Sequence, residues 1–485
     1  MRKLLWPLGL FFLTVALRMP FMTRHFFHLD VAQFSLGMLR YDISKHMPHP
    51  PGYFFLVHLG KLLYLMTGKA NLSFTLLAVF FSGLAVAFIY STVRSMMAHQ
   101  TGLFAALLLI SNPLFWAMGE TGFSYAEGAF IGAFAGFFSY RAYKGNIGFW
   151  GIIAAGMLIG ASGGLRPSDV FLMAPLWLYG VLHGKRRWQA GLVALLSMKV
   201  GLASWFVPTM FLGHGGGTSW RHTIEWIRTA GILAPFKTYL IMNLGKMVAA
   251  NLWCVAGGLI LLPFVLRRRI FCSFFILWIL PGILFQLVVG YGNVAHCLVY
   301  GVSYSAILAI VSSQAKPWKY LAIALNSLIF FLWPHLPSDN LVNYSVNYIS
   351  PFYQNLRARD VTTAQVLDLI KANPEMDIIS IRDRRGIGEY YEGPGCSVLR
   401  WEFQKRSILS LIYLPDRTMT SWFNGTEQIS KPAKLSDSVI VVVERGNEKT
   451  LDMIGRRWLF RIGETYAGVV PCDELEKSLA GIVIF

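Results

Sequence analysis

The chain has 485 residues, 55% hydrophobic and 14% charged, with a formal net charge of +18 and a mean hydropathy of +0.50. A soluble domain carries roughly 25% charged residues, so an ordinary soluble fold is excluded and a polytopic membrane protein is indicated. Lys and Arg cluster in short loops between apolar runs, the pattern of membrane topology, so no nucleic-acid partner is expected; five Cys without metal-type spacing give no zinc or disulfide framework.

The first apolar run, 4–19, lacks a small-x-small cleavage site and follows Met1-Arg2-Lys3, so it reads as a retained spanning helix with a cytoplasmic anchor. Further runs lie at 72–93, 101–118, 123–140, 147–165, 170–182, 188–211, 236–266, 271–290, 295–311 and 318–333. A span takes roughly 20 residues. If each run crosses once, Arg2/Lys3, Arg94, Arg141/Lys144, Lys185-Arg186-Arg187, Arg267-Arg268-Arg269 and Lys316/Lys319 all face the cytoplasm. The segment 53–66 is short and carries His58 and Lys61, and a crossing there would set the N-terminal anchor opposite every later basic loop. It is expected to lie along the interface, inside one long outer loop over 20–70. The count is then eleven crossings.

From about residue 334 the composition turns polar, and eleven crossings from an inside start put this tail outside. The segment 362–373 reads as a helix capped by Thr362 or Thr363. The β-branched runs 376–381 and 438–444 read as strands, and 448–456 as a second helix. The expected fold is a polytopic α-helical membrane protein of about 11 transmembrane helices with interfacial helices in the first outer loop. Residues 1–333 form its membrane domain, and 334–485 a small extracytoplasmic α/β domain.

The residues able to do chemistry gather on the outer side. Asp30 lies among Phe26, Phe27, Leu29, Val31 and Phe34, which would draw it onto the membrane surface. Desolvation there is expected to raise its pKa and make it a better base. In His49-Pro50-Pro51-Gly52-Tyr53 the prolines bar a helix before them, and Pro51 can start one. His49 would then sit at a helix start, able to donate to a phosphate. Glu120 ends the third span, where a charge must be paired or used. Arg166 ends the fifth, and Arg221 and His296 are further outer cations. Singly these are loop charges, helix punctuation or interface anchors. Together they suit an enzyme acting on a lipid-bound phosphate. A transporter or flippase of lipid-linked sugars would call for mid-span charges and an inverted repeat, neither of which is evident. A polysaccharide polymerase or ligase is the other alternative.

Asp30 in the first outer loop, followed by a Pro-Pro element and an interfacial helix, resembles the GT-C superfamily of integral-membrane glycosyltransferases. The likeness is to its protein O-mannosyltransferase and aminoarabinose-transferase branch. Within that branch His49–Tyr53 with Phe54-Phe55, the segment from Asn112 to Glu127, and Leu165-Arg166-Pro167-Ser168 look like a bacterial group with an HPPGY-type pattern. The resemblance implies inverting transfer of a sugar from a polyprenyl-phosphate-linked donor to a hydroxyl acceptor (glycan, lipid or protein). It implies a bacterial inner membrane, with the active site and C-terminus extracytoplasmic. Asp30 would be the base; His49, Tyr53, Arg166, Arg221 and His296 would face the donor's phosphate and sugar. Many relatives carry paired acids in this loop, whereas Val31 and Ala32 follow Asp30 here. Asp42 and Glu120 are the remaining candidates for a second acid. A lone carboxylate is a poor metal site, so no cofactor is expected, and a divalent metal is the less favoured alternative.

Overall fold

The computed structural model describes residues 2–43, 47–183, 187–212, 236–265, 272–288, 294–336, 350–383, 402, 408–413, 419–421, 437–443, 451, 456–462 and 465–479. The chain opens with α1 (Arg2–Arg18), then α2 (Leu29–Leu39), α3 (Phe54–Thr67), α4 (Ala70–Met96), α5 (His99–Ser111) and α6 (Pro113–Met118). It continues with α7 (Tyr125–Tyr143), α8 (Phe149–Ala161), α9 (Pro167–Leu182) and α10 (Arg187–Leu212). Helices Phe236–Val255, Cys272–Val288, Leu298–Val311 and Lys316–Leu332 follow.

Five stretches are long and apolar enough to cross a membrane: Leu4–Phe21, Ala70–Met96, Trp188–Leu212, Leu244–Phe264 and Val294–Val311. The protein is an integral membrane protein. Shorter apolar helices, among them Phe149–Gly164, Pro167–Leu182 and Pro317–Leu332, pack among them.

The run expected as one span over 101–118 is two helices. Pro113 cannot donate to the ladder of α5, so the chain restarts there, with the Asn112 side chain accepting from the Phe115 N–H at 3.0 Å. The Asn112 amide also donates to the carbonyls of Trp253 and Cys254, both at 2.9 Å. The break thus ties two distant helices together.

Large side chains fill the centre of the bundle; Phe34, Phe74, Tyr90, Phe115, Trp177, Trp278 and Tyr300 are fully buried. Elsewhere small residues let backbones touch, which drives helix association where lipid gives no hydrophobic force. A Cβ on Gly160 of α8 would lie 2.0 Å from the Met198 carbonyl oxygen, and one on Gly201 of α10 would lie 2.0 Å from that of Met157.

The tail forms a six-stranded sheet in the order β3-β2-β1-β4-β6-β5. Its strands are β1 (Asp377–Asp383), β2 (Ile408–Tyr413), β3 (Met419–Ser421), β4 (Ser438–Val443), β5 (Phe460–Ile462) and β6 (Thr465–Pro471). β1 runs parallel to β2 and β4, and β6 antiparallel to β4. From Val439 on, β4 is an unbroken apolar run, as suits a strand covered on both faces. Val439, Val441 and Val443 meet Leu451, Leu459 and Leu475, while Ile440 and Val442 meet Val366, Leu367 and Ile370 of helix Tyr353–Lys371.

The strands expected near 376–381 and 438–444 are therefore present. The helix expected at 362–373 starts earlier, at Tyr353, so Thr362 and Thr363 are buried mid-helix and cap nothing. Most of the helix expected over 448–456 lies outside the described residues.

Candidate functional site

The segment between α1 and α4 carries the candidate acid. Asp30 sits in the first turn of α2. His28 caps that helix, its Nδ1 accepting from the Asp30 N–H at 3.2 Å and lying 3.4 Å from Asp30 Oδ1. On the other side, His49 Nδ1 is 3.9 Å from the same oxygen. The carboxylate is 26% exposed, so the histidine pair flanks it without closing it off.

His49 is aimed by the turn it begins. Gly52 takes φ 122°, a conformation that favours glycine, and a Cβ there would meet the Tyr41 hydroxyl at 2.6 Å. Tyr53 then caps α3 in the left-handed region, at φ 50°. The expectation that Pro51 starts the helix is corrected: α3 begins at Phe54, so His49 lies outside the helix start and faces Asp30 instead. Its ring packs against Phe34 and Tyr53, with centroids at 5.4 and 4.8 Å.

Arg166 forms the inner wall. It precedes α9, whose first residue is Pro167, and its side chain is only 5% exposed. Nε lies 3.3 Å from Asp169 Oδ1, one Nη donates to Ser124 Oγ at 2.7 Å, and the other to His296 Nδ1 at 2.6 Å. The guanidinium lies 4.2 Å from the Tyr125 ring centroid. A guanidinium only donates, so His296 must accept through Nδ1 and carry its proton on Nε2. Arg166 has five N–H groups, and the Tyr125 hydroxyl also accepts from it. A Cβ on Gly128 would lie 2.7 Å from Asp169 Oδ2, so this glycine leaves room for the acid that holds Arg166.

Electrostatics corrects the expected pKa. Burial by itself would push the Asp30 carboxyl up. Its interactions with the flanking His49 and His28, and with the charge of Arg166, nevertheless hold it well below the ordinary carboxylate range. Asp30 is an ionised carboxylate of low basicity in this state. His49 is shifted down, chiefly by burial, so its neutral form is favoured. Burial pushes the Tyr53 hydroxyl up to about 12.

Of the residues singled out in the sequence, Asp30, His49, Tyr53, Arg166 and His296 come together. Glu120 does not. It is fully buried beside Arg18, its Oε1 accepts from the Trp116 indole N–H, and its main-chain carbonyl accepts from the Thr23 N–H at 3.0 Å. Arg18 in turn stacks over the Trp116 ring at 4.3 Å and donates to the Ile110 carbonyl. Asp42 pairs with Arg40 at 3.5 Å and bridges Met47 through its backbone. Arg221 lies outside the described residues. Sequence reasoning missed His28, Ser124, Tyr125 and Asp169. Only Asp169 carried a local signal, three residues after Arg166 at a helix start. Among the described residues, no group of three or more His, Cys, Asp or Glu could hold a metal ion.

Residues 48–211 match the sequence profile of the family described as dolichyl-phosphate-mannose-protein mannosyltransferase. The chain superposes on ArnT from Cupriavidus metallidurans bound to undecaprenyl phosphate with a TM-score of 0.60 at 10% identity, covering 97% of this chain and 98% of that one. Its fold is that of ArnT. ArnT in the apo state gives a TM-score of 0.58 at 10% identity, with the same coverage. No curated protein matches in sequence. The family match begins at Pro48, takes in the turn from His49 to Tyr53, and ends after Arg166 and α9, so it spans much of the site.

Proposed function

We propose that this protein is a glycosyltransferase that moves a sugar from a polyprenyl-phosphate-linked donor to a hydroxyl acceptor. The observation that carries the reading is the convergence of Asp30, His49 and the anchored Arg166 at one place. The chain shares its fold with a protein solved with undecaprenyl phosphate bound. An Arg held by three partners keeps a fixed charge to meet a phosphate.

In this reading the acceptor hydroxyl oxygen bonds to the anomeric carbon while the bond from that carbon to the phosphate oxygen breaks. The prenyl phosphate leaves with the electron pair, the acceptor proton passes to Asp30, and the anomeric configuration inverts. A weakly basic carboxylate suits this order of events, because the hydroxyl becomes acidic only as its oxygen bonds to carbon. The bound phosphate also places a negative charge near Asp30, which raises its basicity once donor is present. Arg166, with His49 and His296, offsets charge on the leaving phosphate. No step needs a metal.

The site would face the extracytoplasmic side of a bacterial inner membrane, together with the sheet domain. The bundle would cross eleven times, with the fourteen residues of α3 lying along the interface rather than spanning. Replacing Asp30 by Asn tests the assignment. Transfer of label from a polyprenyl-phosphate sugar should disappear while undecaprenyl phosphate still binds, and unchanged transfer would reject it.

A further inference from the structure

The segment that delivers Asp30 is held from the far end of the chain. Between the turn Met19–Phe21 and α2 the backbone has no regular structure, so its amides need partners from elsewhere. One side chain supplies two of them. Asp360, on helix Tyr353–Lys371, accepts from the Arg24 N–H at 3.0 Å through Oδ2 and from the His25 N–H at 3.1 Å through Oδ1. Arg357 braces that carboxylate at 3.5 Å and donates to the Phe21 carbonyl at 3.4 Å. Arg359 donates to the Phe27 carbonyl at 3.4 Å and sits over the Phe27 ring at 4.5 Å. Phe27 packs on Phe123, and Phe123 lies 4.6 Å from the His28 ring that caps Asp30. The same helix seats the sheet through Val366, Leu367 and Ile370.

We infer that Asp360, braced by Arg357 and aided by Arg359, is a positioning residue: it fixes the 21–28 backbone so that His28 and Asp30 stand in register with His49 and Arg166. The C-terminal domain would then complete the active site through this clamp. The catalytic consequence rests on the reading of Asp30 as the base; the clamp itself does not.

The test uses the full-length protein in detergent and compares wild type, Asp360→Asn, Arg359→Gln and Asp30→Asn. Asp368→Asn is the control, since Asp368 is on the same helix with its side chain 76% exposed. Hydrogen exchange read by mass spectrometry should accelerate about tenfold or more over 21–31 in Asp360→Asn, from the loss of a charged hydrogen bond, with other helices unchanged. The second readout is amidation of Asp30 by a carbodiimide and an amine across pH 4 to 7, which reports the protonated carboxyl. Wild-type Asp30 should resist near pH 5, and the Asp360→Asn protein should react severalfold faster there, because its carboxyl is no longer held against the histidines. A residue that only stabilised the fold would not move that pH profile. Arg359→Gln should shift both readouts the same way by less, and it stands in if Asp360→Asn does not fold. Wild-type exchange over 21–31 and a wild-type amidation profile in both variants would overturn the inference. If Asp30→Asn keeps full transfer while the clamp readouts move, the catalytic reading fails and the clamp stands.

Discussion

Arg166 meets His296 across 130 residues of chain, with an Nη nitrogen 2.6 Å from Nδ1 of the imidazole. One residue caps the start of α9 and the other lies just before helix Leu298–Val311, so this contact joins two parts of the bundle at the candidate site. A neutral imidazole that accepts through Nδ1 carries its proton on Nε2, itself 3.4 Å from the same Nη nitrogen.

Removing the guanidinium should therefore harm the fold as well as the chemistry. Arg166→Met strands Asp169, which is 1% exposed, as an uncompensated buried charge, at a cost of about 3–5 kcal/mol. The double variant Arg166→Met, Asp169→Leu should recover much of that stability in detergent unfolding without recovering binding of undecaprenyl phosphate. Equal stability of single and double variants would contradict the pairing.

Ser124 tests the same anchor more gently. It accepts one hydrogen bond from Arg166 at 2.7 Å, and Ser124→Ala should weaken undecaprenyl phosphate binding about three- to tenfold, the size of one hydrogen bond near a charge. Isothermal titration with the lipid phosphate in detergent would measure it. No change would mean that Arg166 is held well enough by Asp169 and His296.

His49 should give the protein an acid sensitivity. Its folded pKa lies below the ordinary 6.5 because of burial. As pH falls below about 6.5 the unfolded chain takes up a proton that the folded site resists, so stability is lost in that direction. The lowered Asp30 pKa works with the same sign, from its ordinary 3.8 downward. Thermal midpoints of wild type and His49→Asn should therefore draw together, or cross, between pH 7.5 and 5. A difference independent of pH would contradict the assignment.

The α8–α10 contact has its own test. Gly160→Leu places carbon atoms where the Met198 carbonyl already lies, so the helices must part. Yield and thermal midpoint in detergent should both fall, whereas Gly148→Leu, whose Cβ meets nothing within 4 Å, should change neither.

Much of this was legible in the sequence for identifiable reasons. The β4 run from Val439 to Val443 is continuous and β-branched, as suits a strand buried on both faces. Asp30, His49, Arg166 and His296 stood out because polar residues are conspicuous among apolar runs. Their meeting was not local information: Arg166 and His296 are brought together only by helix packing. For the same reason Glu120 looked like a partner for Asp30, yet the return of the chain through Thr23 places it beside Arg18 and Trp116. The expected Asp30 pKa was too high because burial is visible in a run of aromatics, whereas His49 and Arg166, which with His28 outweigh it, come from other turns of the chain. The 21–28 clamp was invisible, since Asp360 recognises backbone amides, which leave no mark on side-chain pattern.

Asp30 remains the centre of the account, and the Asp30→Asn protein tests it most directly. Supplied with polyprenyl-phosphate-linked sugars and membrane acceptors, it should bind undecaprenyl phosphate as the wild type does, keep its thermal midpoint within a few degrees, and form no glycosylated product. Product formed at the wild-type rate by that folded protein would contradict the central claim.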